Sequence, residues 1–202
     1  SRLAMYATSG KMPRDLFYSE IGDRQPKQLT HSLNKEINSE HLVSGDVVRF
    51  KSFDGIEVPG ILYKPHGASE TKKAPALVWV HGGPGGQSTV GYRGLIQYLV
   101  SRGYFALTVN FRSGTGRGMA FREPDNYGGR GAEEIQDFVG AAAYLKSIPE
   151  VDPDAIAIAG WSCGGHIVTN VLARHSSLYA AGVSYAGVGD WRVEMEMDSG
   201  QR

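Results

Sequence analysis

Ala155-Ile156-Ala157-Ile158-Ala159-Gly160-Trp161-Ser162-Cys163-Gly164-Gly165 is the stretch that decides the fold. Residues 155–159 form a short, continuously apolar run, the pattern of a strand covered on both faces. Beyond the glycines, Ile167, Val168, Val171 and Leu172 recur at helical spacing. Ser162 thus stands at a sharp bend between a buried strand and a helix, with glycine two residues to either side. A bend this tight brings side chains at those two positions into the neighbouring backbone, which is why glycine suits them. The bare pattern Gly-x-Ser-x-Gly arises easily by accident in a chain with 27 glycines, and an incidental serine in a glycine-rich turn is the competing reading. The strand and helix on either side favour a nucleophile elbow, in which the serine hydroxyl is held above the sheet edge near a helix N-terminus.

Outward from this bend, the same kinds of segment alternate. Apolar runs at residues 76–80 and 105–109 predict two further buried strands, and residues 181–186 a fourth, while the Asp152-Pro153 pair predicts a turn before residue 155. Between the strands, Leu95, Ile96, Leu99 and Val100 mark one helical face, and Ile135, Phe138, Val139, Ala142 and Leu145 another. Residues 47–53 and 56–63 flank Asp54-Gly55, a strong two-residue hairpin signal. Strand and helix in alternation mean an α/β domain, with a mostly parallel sheet and helices on both faces. Residues 1–42 differ: alternating segments at 3–8 and 16–19 surround a turn-rich stretch at 9–15, predicting a hairpin with little to bury. Two strands alone are marginal in water, so the hairpin belongs to a larger sheet or is a loose extension.

His81-Gly82-Gly83-Pro84-Gly85-Gly86 follows the strand at 76–80. An acyl-transfer site needs two donors aimed at the tetrahedral oxyanion. One comes from the backbone of the residue after the nucleophile, Cys163, and the other from a glycine-rich turn after a neighbouring strand. The Gly83 N–H is the candidate there, with Gly82 next. A phosphate cradle is disfavoured because no Gly-Lys-Ser/Thr follows, and no cofactor or metal is expected. His81 shapes this turn in our reading, since it precedes the nucleophile in a fold that orders its triad serine, acid, histidine.

Composition limits the partners. Across 202 residues, 21 Lys and Arg balance 21 Asp and Glu, leaving no net field to attract nucleic acid or an anionic membrane. No apolar run approaches the roughly 18 residues of a membrane span. The lone Cys163 excludes an intrachain disulfide and leans toward a cytoplasmic setting.

Taken together, Phe50 to Gly55, Val58 to Pro65, the turn at 81–84, Asn110-Phe111-Arg112-Ser113-Gly114-Thr115-Gly116 and Gly160 to Gly165 resemble the prolyl oligopeptidase family. Within it the chain is most similar to the acylaminoacyl-peptidase and dipeptidyl-aminopeptidase branch, over residues 44–190. The resemblance implies an α/β-hydrolase catalytic domain over residues 43–202 and, at 1–42, the last strands of a β-propeller and the link out of it. It assigns Ser162 as nucleophile, with Cys163 and Gly83 as oxyanion donors. His81 stands where some branches carry a tyrosine, so the oxyanion would rely on backbone. Proline iminopeptidases share the His-Gly-Gly-Pro-Gly-Gly turn, but residues 1–65 do not resemble that family.

The resemblance also implies that the triad acid and histidine lie beyond Arg202. Asp190 and Asp198 come too early for the acid, and His166 and His175 belong to the helix behind Ser162. The expected activity is cleavage of short peptides through a serine acyl-enzyme. An acyl ester hydrolysed on the same fold is the alternative, and an inactive fragment is a further one. The oligomeric state is left open.

Overall fold

The computed structural model describes residues 2–83, 85–122, 133–190, 193 and 196. Alternating side chains build the first sheet: β1 (Arg2–Ser9) and β2 (Met12–Glu20) pair antiparallel, and β3 (Lys27–Gln28) adds to the far side of β2. The strands run further than the composition of residues 9–15 suggests, since Ser9 lies opposite Met12 and only Gly10 and Lys11 form the turn. The register slips between Ala7 and Ser9, opposite Pro13, and an irregular step suits a residue with no N–H to give the ladder. Asp15, read from sequence as part of the turn, is 1% exposed. Its Oδ1 accepts from Thr30 Oγ1 (2.7 Å), Ser32 N–H (2.9 Å) and Ser32 Oγ (2.8 Å), and its Oδ2 from Gln28 Nε2 (3.0 Å). This knot fastens residues 28–32 to β2.

The second sheet has β4 (Asp46–Lys51), β5 (Glu57–Tyr63), β6 (Ala74–Val80), β7 (Phe105–Val109), β8 (Val151–Trp161) and β9 (Ala181–Tyr185). Their order is β4-β5-β7-β6-β8-β9. The pairs β6–β7, β6–β8 and β8–β9 are parallel, and β4–β5 and β5–β7 antiparallel. The predicted turn at Asp152-Pro153 is an interruption within β8: Ala74 pairs with Val151 and Ala76 with Ile156, so three extra residues bulge out between them.

Helices α1 (Gly94–Ser101), the single-turn α2 (Met119–Arg122), α3 (Glu133–Lys146) and α4 (Cys163–His175) connect the strands. The face bearing α3 and α4 holds the main core, including Phe138, Leu145, Ile158, Val168 and Val171, all fully buried. Each such side chain contributes about 2 kcal/mol of transfer free energy. On the other face Ile96 and Val100 of α1 pack on Val43, Ile61, Tyr63 and Ala106. The chain therefore leaves β6 in one direction with its helix on one face, and leaves β8 in the other direction with its helix on the opposite face. Crossovers of one hand produce this arrangement. Beside α1 the sheet carries an apolar groove of about 560 Å³ lined by Leu77, Trp79, Leu99, Trp161, Val183 and Tyr185. Every residue of the edge strand β9 is exposed.

The two sheets meet at Gln97. This buried side chain on α1 accepts from Val43 N–H (3.0 Å) and donates to Val43 O (2.7 Å) and Gly10 O (2.9 Å), joining the β1–β2 turn to the segment leading into β4. Gly10 sits so close to Ser44 that a Cβ there would lie 2.7 Å from the Ser44 Cα. Replacing Gln97 by leucine leaves three buried backbone groups unpaired, and the expected loss is about 2–4 kcal/mol. Urea unfolding at constant m-value measures it, and a loss below about 0.5 kcal/mol would show that the clasp contributes nothing.

Candidate active site

Parallel pairing places Trp79 beside Ala159 and Val80 beside Gly160, so the residues that follow β6 and β8 emerge side by side at the same sheet edge. In open α/β sheets this carboxyl edge is where ligands bind.

Ser162 has φ 56° and ψ −124°, a conformation that costs a non-glycine residue about 1–3 kcal/mol. It persists because its surroundings over-determine it. The Ser162 N–H donates to Tyr185 O (3.0 Å), and its carbonyl accepts from His166 N–H (3.2 Å). A Cβ on Gly160 would lie 2.5 Å from Gly164 O, and one on Gly164 would overlap Val80 O and lie 2.7 Å from His81 O. These two glycines let β8, α4 and the end of β6 close on one another. Ser162 occupies the N-cap of α4 but makes no capping bond with its side chain, so its hydroxyl is not committed to the helix.

Cys163 is the first residue of α4, and the geometry of a helix start leaves its N–H without an intrahelical acceptor. Its thiol is buried, and that burial, reinforced by the charge of Glu134, pushes it up from the ordinary value. It stays protonated and is no rival nucleophile.

The glycine turn lies directly against this elbow. A Cβ on Gly82 would be 3.2 Å from Trp161 O and 3.4 Å from the Ser162 Cβ. Gly83 follows, its backbone folded over Gly85 and Gly86, where a Cβ would lie 2.9 Å from Gly85 N. Pro84 falls outside the described residues.

His81 opens the turn and faces inward. Its Nδ1 lies 2.8 Å from Gly82 O, its ring stacks on Phe111 with centroids 4.5 Å apart, and its buried Nε2 has no hydrogen-bond partner. The bond to a carbonyl requires the proton on Nδ1. Burial, with a smaller contribution from Arg93, holds the imidazole below its ordinary value against the opposing Gly82 bond.

His166 is tied to the loop after β9 through Nδ1 and Val188 O (2.7 Å) and to Asn170 Nδ2 through Nε2 (3.1 Å). Both its ring nitrogens are thus engaged along α4 and that loop. His175, the last residue of α4, has Nε2 3.4 Å from Gln136 Nε2. Asp190 lies in the loop beyond β9, and Asp198 is outside the described residues. Among the described residues no cluster of three His, Cys, Asp or Glu side chains could hold a metal ion, and no helix is long and apolar enough to cross a membrane. Sequence reading missed the buried network of Arg112 and Asp137 behind the glycine turn, because a lone arginine in a loop carries no periodicity.

A model of the prolyl oligopeptidase family matches residues 91–200, more than half of the chain. The chain belongs to the prolyl oligopeptidase family. Among relatives of this family member, the uncharacterized peptidase YuxL of Bacillus subtilis is 26% identical over 91% of this chain and 28% of its own length. Human dipeptidyl peptidase 8 is 31% identical over 72% of this chain and 17% of its own. Among solved structures, the acylaminoacyl peptidase of Pyrococcus horikoshii superposes with a TM-score of 0.78 at 31% identity, covering 95% of this chain and 30% of that one. A puromycin-hydrolyzing peptidase of Mycobacterium tuberculosis gives 0.86 at 25% identity, covering 96% and 30%. The chain therefore spans less than a third of the length of these relatives.

The neutral, buried His81 has a pH consequence. A histidine with a depressed folded value gives stability that is complete above the ordinary imidazole value near 6.5 and is lost as pH falls below it. Between that point and the lower folded value, the unfolding free energy should fall by up to about 1.4 kcal/mol per pH unit. His81→Asn should flatten this slope in urea titrations. An equal slope in both proteins would place the proton uptake elsewhere.

Proposed function

We propose that the complete protein is a serine peptidase acting on short peptides through an acyl-enzyme on Ser162. The observation that carries this reading is the strained, uncapped Ser162 at the β8–α4 bend with Gly82 packed against it. Family membership supports it. Ser162 Oγ attacks the scissile carbonyl carbon while its proton passes to a histidine. The resulting oxyanion accepts bonds from the N–H groups of Cys163 and Gly83. Collapse breaks the C–N bond, and the departing amine takes the proton from the histidine. Water then enters by the same route in reverse, releasing the acid and restoring the serine.

The general-base histidine and its acid partner belong, in this proposal, to residues of the complete protein beyond those described. His166 is excluded by the bonds that both its ring nitrogens make, and His81 by its burial against Phe111, with Nε2 toward Gly114. Residues 43–202 form the catalytic domain, and the β1–β2–β3 sheet is the closing part of a β-propeller that restricts access to small substrates. Similarity to a dipeptidyl peptidase and an acylaminoacyl peptidase supports peptides as the substrate class.

In the complete protein a fluorophosphonate probe should label Ser162, and Ser162→Ala should lower turnover of a chromogenic peptide by at least about a thousand-fold. Unchanged turnover would refute the assignment. Rates on a matched short acyl ester test the esterase alternative, which uses the same residues: an ester rate far above the peptide rate with no measurable peptide cleavage would replace the peptidase reading.

A further inference from the structure

Arg112 lies three residues beyond the end of β7, and its side chain is 1% exposed. Every nitrogen of its guanidinium is engaged. Nε donates to Asp137 Oδ1 (3.1 Å), and Nη2 to Asp137 Oδ1 (2.7 Å) and Ser52 Oγ (2.8 Å). Nη1 donates to Asp54 Oδ2 and to Glu133 Oε2 (3.3 Å). The Arg112 backbone N–H also goes to Asp137 Oδ2 (2.8 Å), and Ser52 Oγ donates to Asp137 Oδ1 (2.7 Å). One carboxylate on α3 therefore grips both the backbone and the side chain of this loop residue, and the β4–β5 turn grips it from the other side. Burial disfavours the charged guanidinium, yet Asp137 and Asp54 hold it above its ordinary value.

The residues flanking Arg112 reach both ends of the glycine turn. Phe111 stacks on His81, the first residue of the turn, with centroids 4.5 Å apart. At the other end, Thr115 N–H donates to Gly86 O (3.2 Å), and a Cβ on Gly114 would lie 3.0 Å from the same oxygen. Ser113, between them, is held at φ 74° with its N–H on Phe121 O (3.0 Å). The turn thus rests on a loop whose own position is fixed at Arg112, and its second residue, Gly82, lies so close to the elbow that a Cβ there would be 3.4 Å from the Ser162 Cβ.

We infer that Arg112, clamped by Asp137, is a positioning residue that sets the register of the 81–86 turn against Ser162 and so aims the second oxyanion donor. It touches no substrate. The inference rests on Ser162 being the nucleophile. A planar fork is needed for the task, because its donors lie in fixed directions toward α3 and the β4–β5 turn, whereas a lysine would offer a point charge free to swivel.

The test uses the complete protein, with Arg112→Lys and Asp137→Asn as variants and Lys64→Ala, which breaks a surface ion pair with Glu150, as control. Turnover of a chromogenic peptide is expressed per site titrated to completion with a fluorophosphonate. A donor displaced by an ångström or less should lower kcat per titrated site by about 10- to 100-fold, with KM within about two-fold and the control unchanged. The rate of fluorophosphonate labelling should fall in parallel, since its adduct places an oxygen in the same hole. A residue that only holds the fold would reduce the number of titratable sites and leave kcat per site and labelling rate intact, and that result overturns the inference. Should both variants fail to fold, Ser52→Ala removes one bond from each partner of the clamp and should lower kcat per site by about three-fold or more; an unchanged value is equally fatal. If Ser162→Ala keeps its labelling and turnover, the nucleophile assignment falls first. If Ser162 is required and the Arg112 variants are unimpaired, only the positioning role falls.

Discussion

The structure depends on the backbone contact between the end of β6 and the first turn of α4. Gly164 lies against the carbonyls of Val80 and His81, and Gly160 against that of Gly164, at distances that leave no room for a methyl group. Because β6 and β8 are parallel neighbours, two loops distant in sequence are pressed together at one edge. The strained dihedrals of Ser162 follow from this contact. The bend has to turn within one residue to bring α4 back over the sheet, and the bond from Ser162 N–H to Tyr185 O locks it from the β9 side. A strain of about 1–3 kcal/mol is small against the burial of Ile158, Val168 and Val171 on either side of the bend.

Much of this was legible in the amino-acid order. Apolar runs at 76–80, 105–109 and 155–159 are the cores of β6, β7 and β8. Strand β7 is buried on both faces, as its lack of alternation implies. In β8, by contrast, the partly exposed Ala155 and Ala157 alternate with buried Ile156 and Ile158, and Leu77, Trp79 and Ala159 line the groove beside α1. The elbow was legible because glycine is confined there by close backbone approach, a constraint that leaves a local signature. Other features left none. Asp15 has the composition of a turn residue, and its burial is decided by Thr30 and Ser32, fifteen and more positions away. Asp152 and Pro153 read as a stop, yet β8 continues through them as a bulge because Val151 already pairs with Ala74. Tertiary pairing overrides local preference in both cases.

The arrangement divides labour between rigid and adjustable parts. Ser162 and the N–H of Cys163 ride on the bend and the first residue of α4, fixed by the sheet itself. The glycine turn has no such support of its own: it is irregular backbone, and a turn rich in glycine gains freedom to move as well as room for close approach. Its placement is supplied from outside, by Phe111 under His81 and by Thr115 on Gly86. Gln97 adds a constraint on the α1 side, since the helix that follows the turn is clasped to Val43 and Gly10.

The energetics of Arg112 explain why its contribution is geometrical. Removing a guanidinium and a carboxylate from water costs several kcal/mol per ion, and a well-bonded buried pair recovers about that amount, so its net effect on stability is small. The same site filled with packed apolar side chains would be no less stable, but it would fix the loop by shape alone, and shape tolerates sliding. Five directed bonds from Nε, Nη1, Nη2 and the backbone N–H to Asp137, Asp54 and Ser52 do not tolerate it. Desolvation strengthens that directionality, because a displaced donor finds no water to take its place. The burial that makes the pair costly is therefore also what makes it a rigid reference point for the loop beneath the glycine turn.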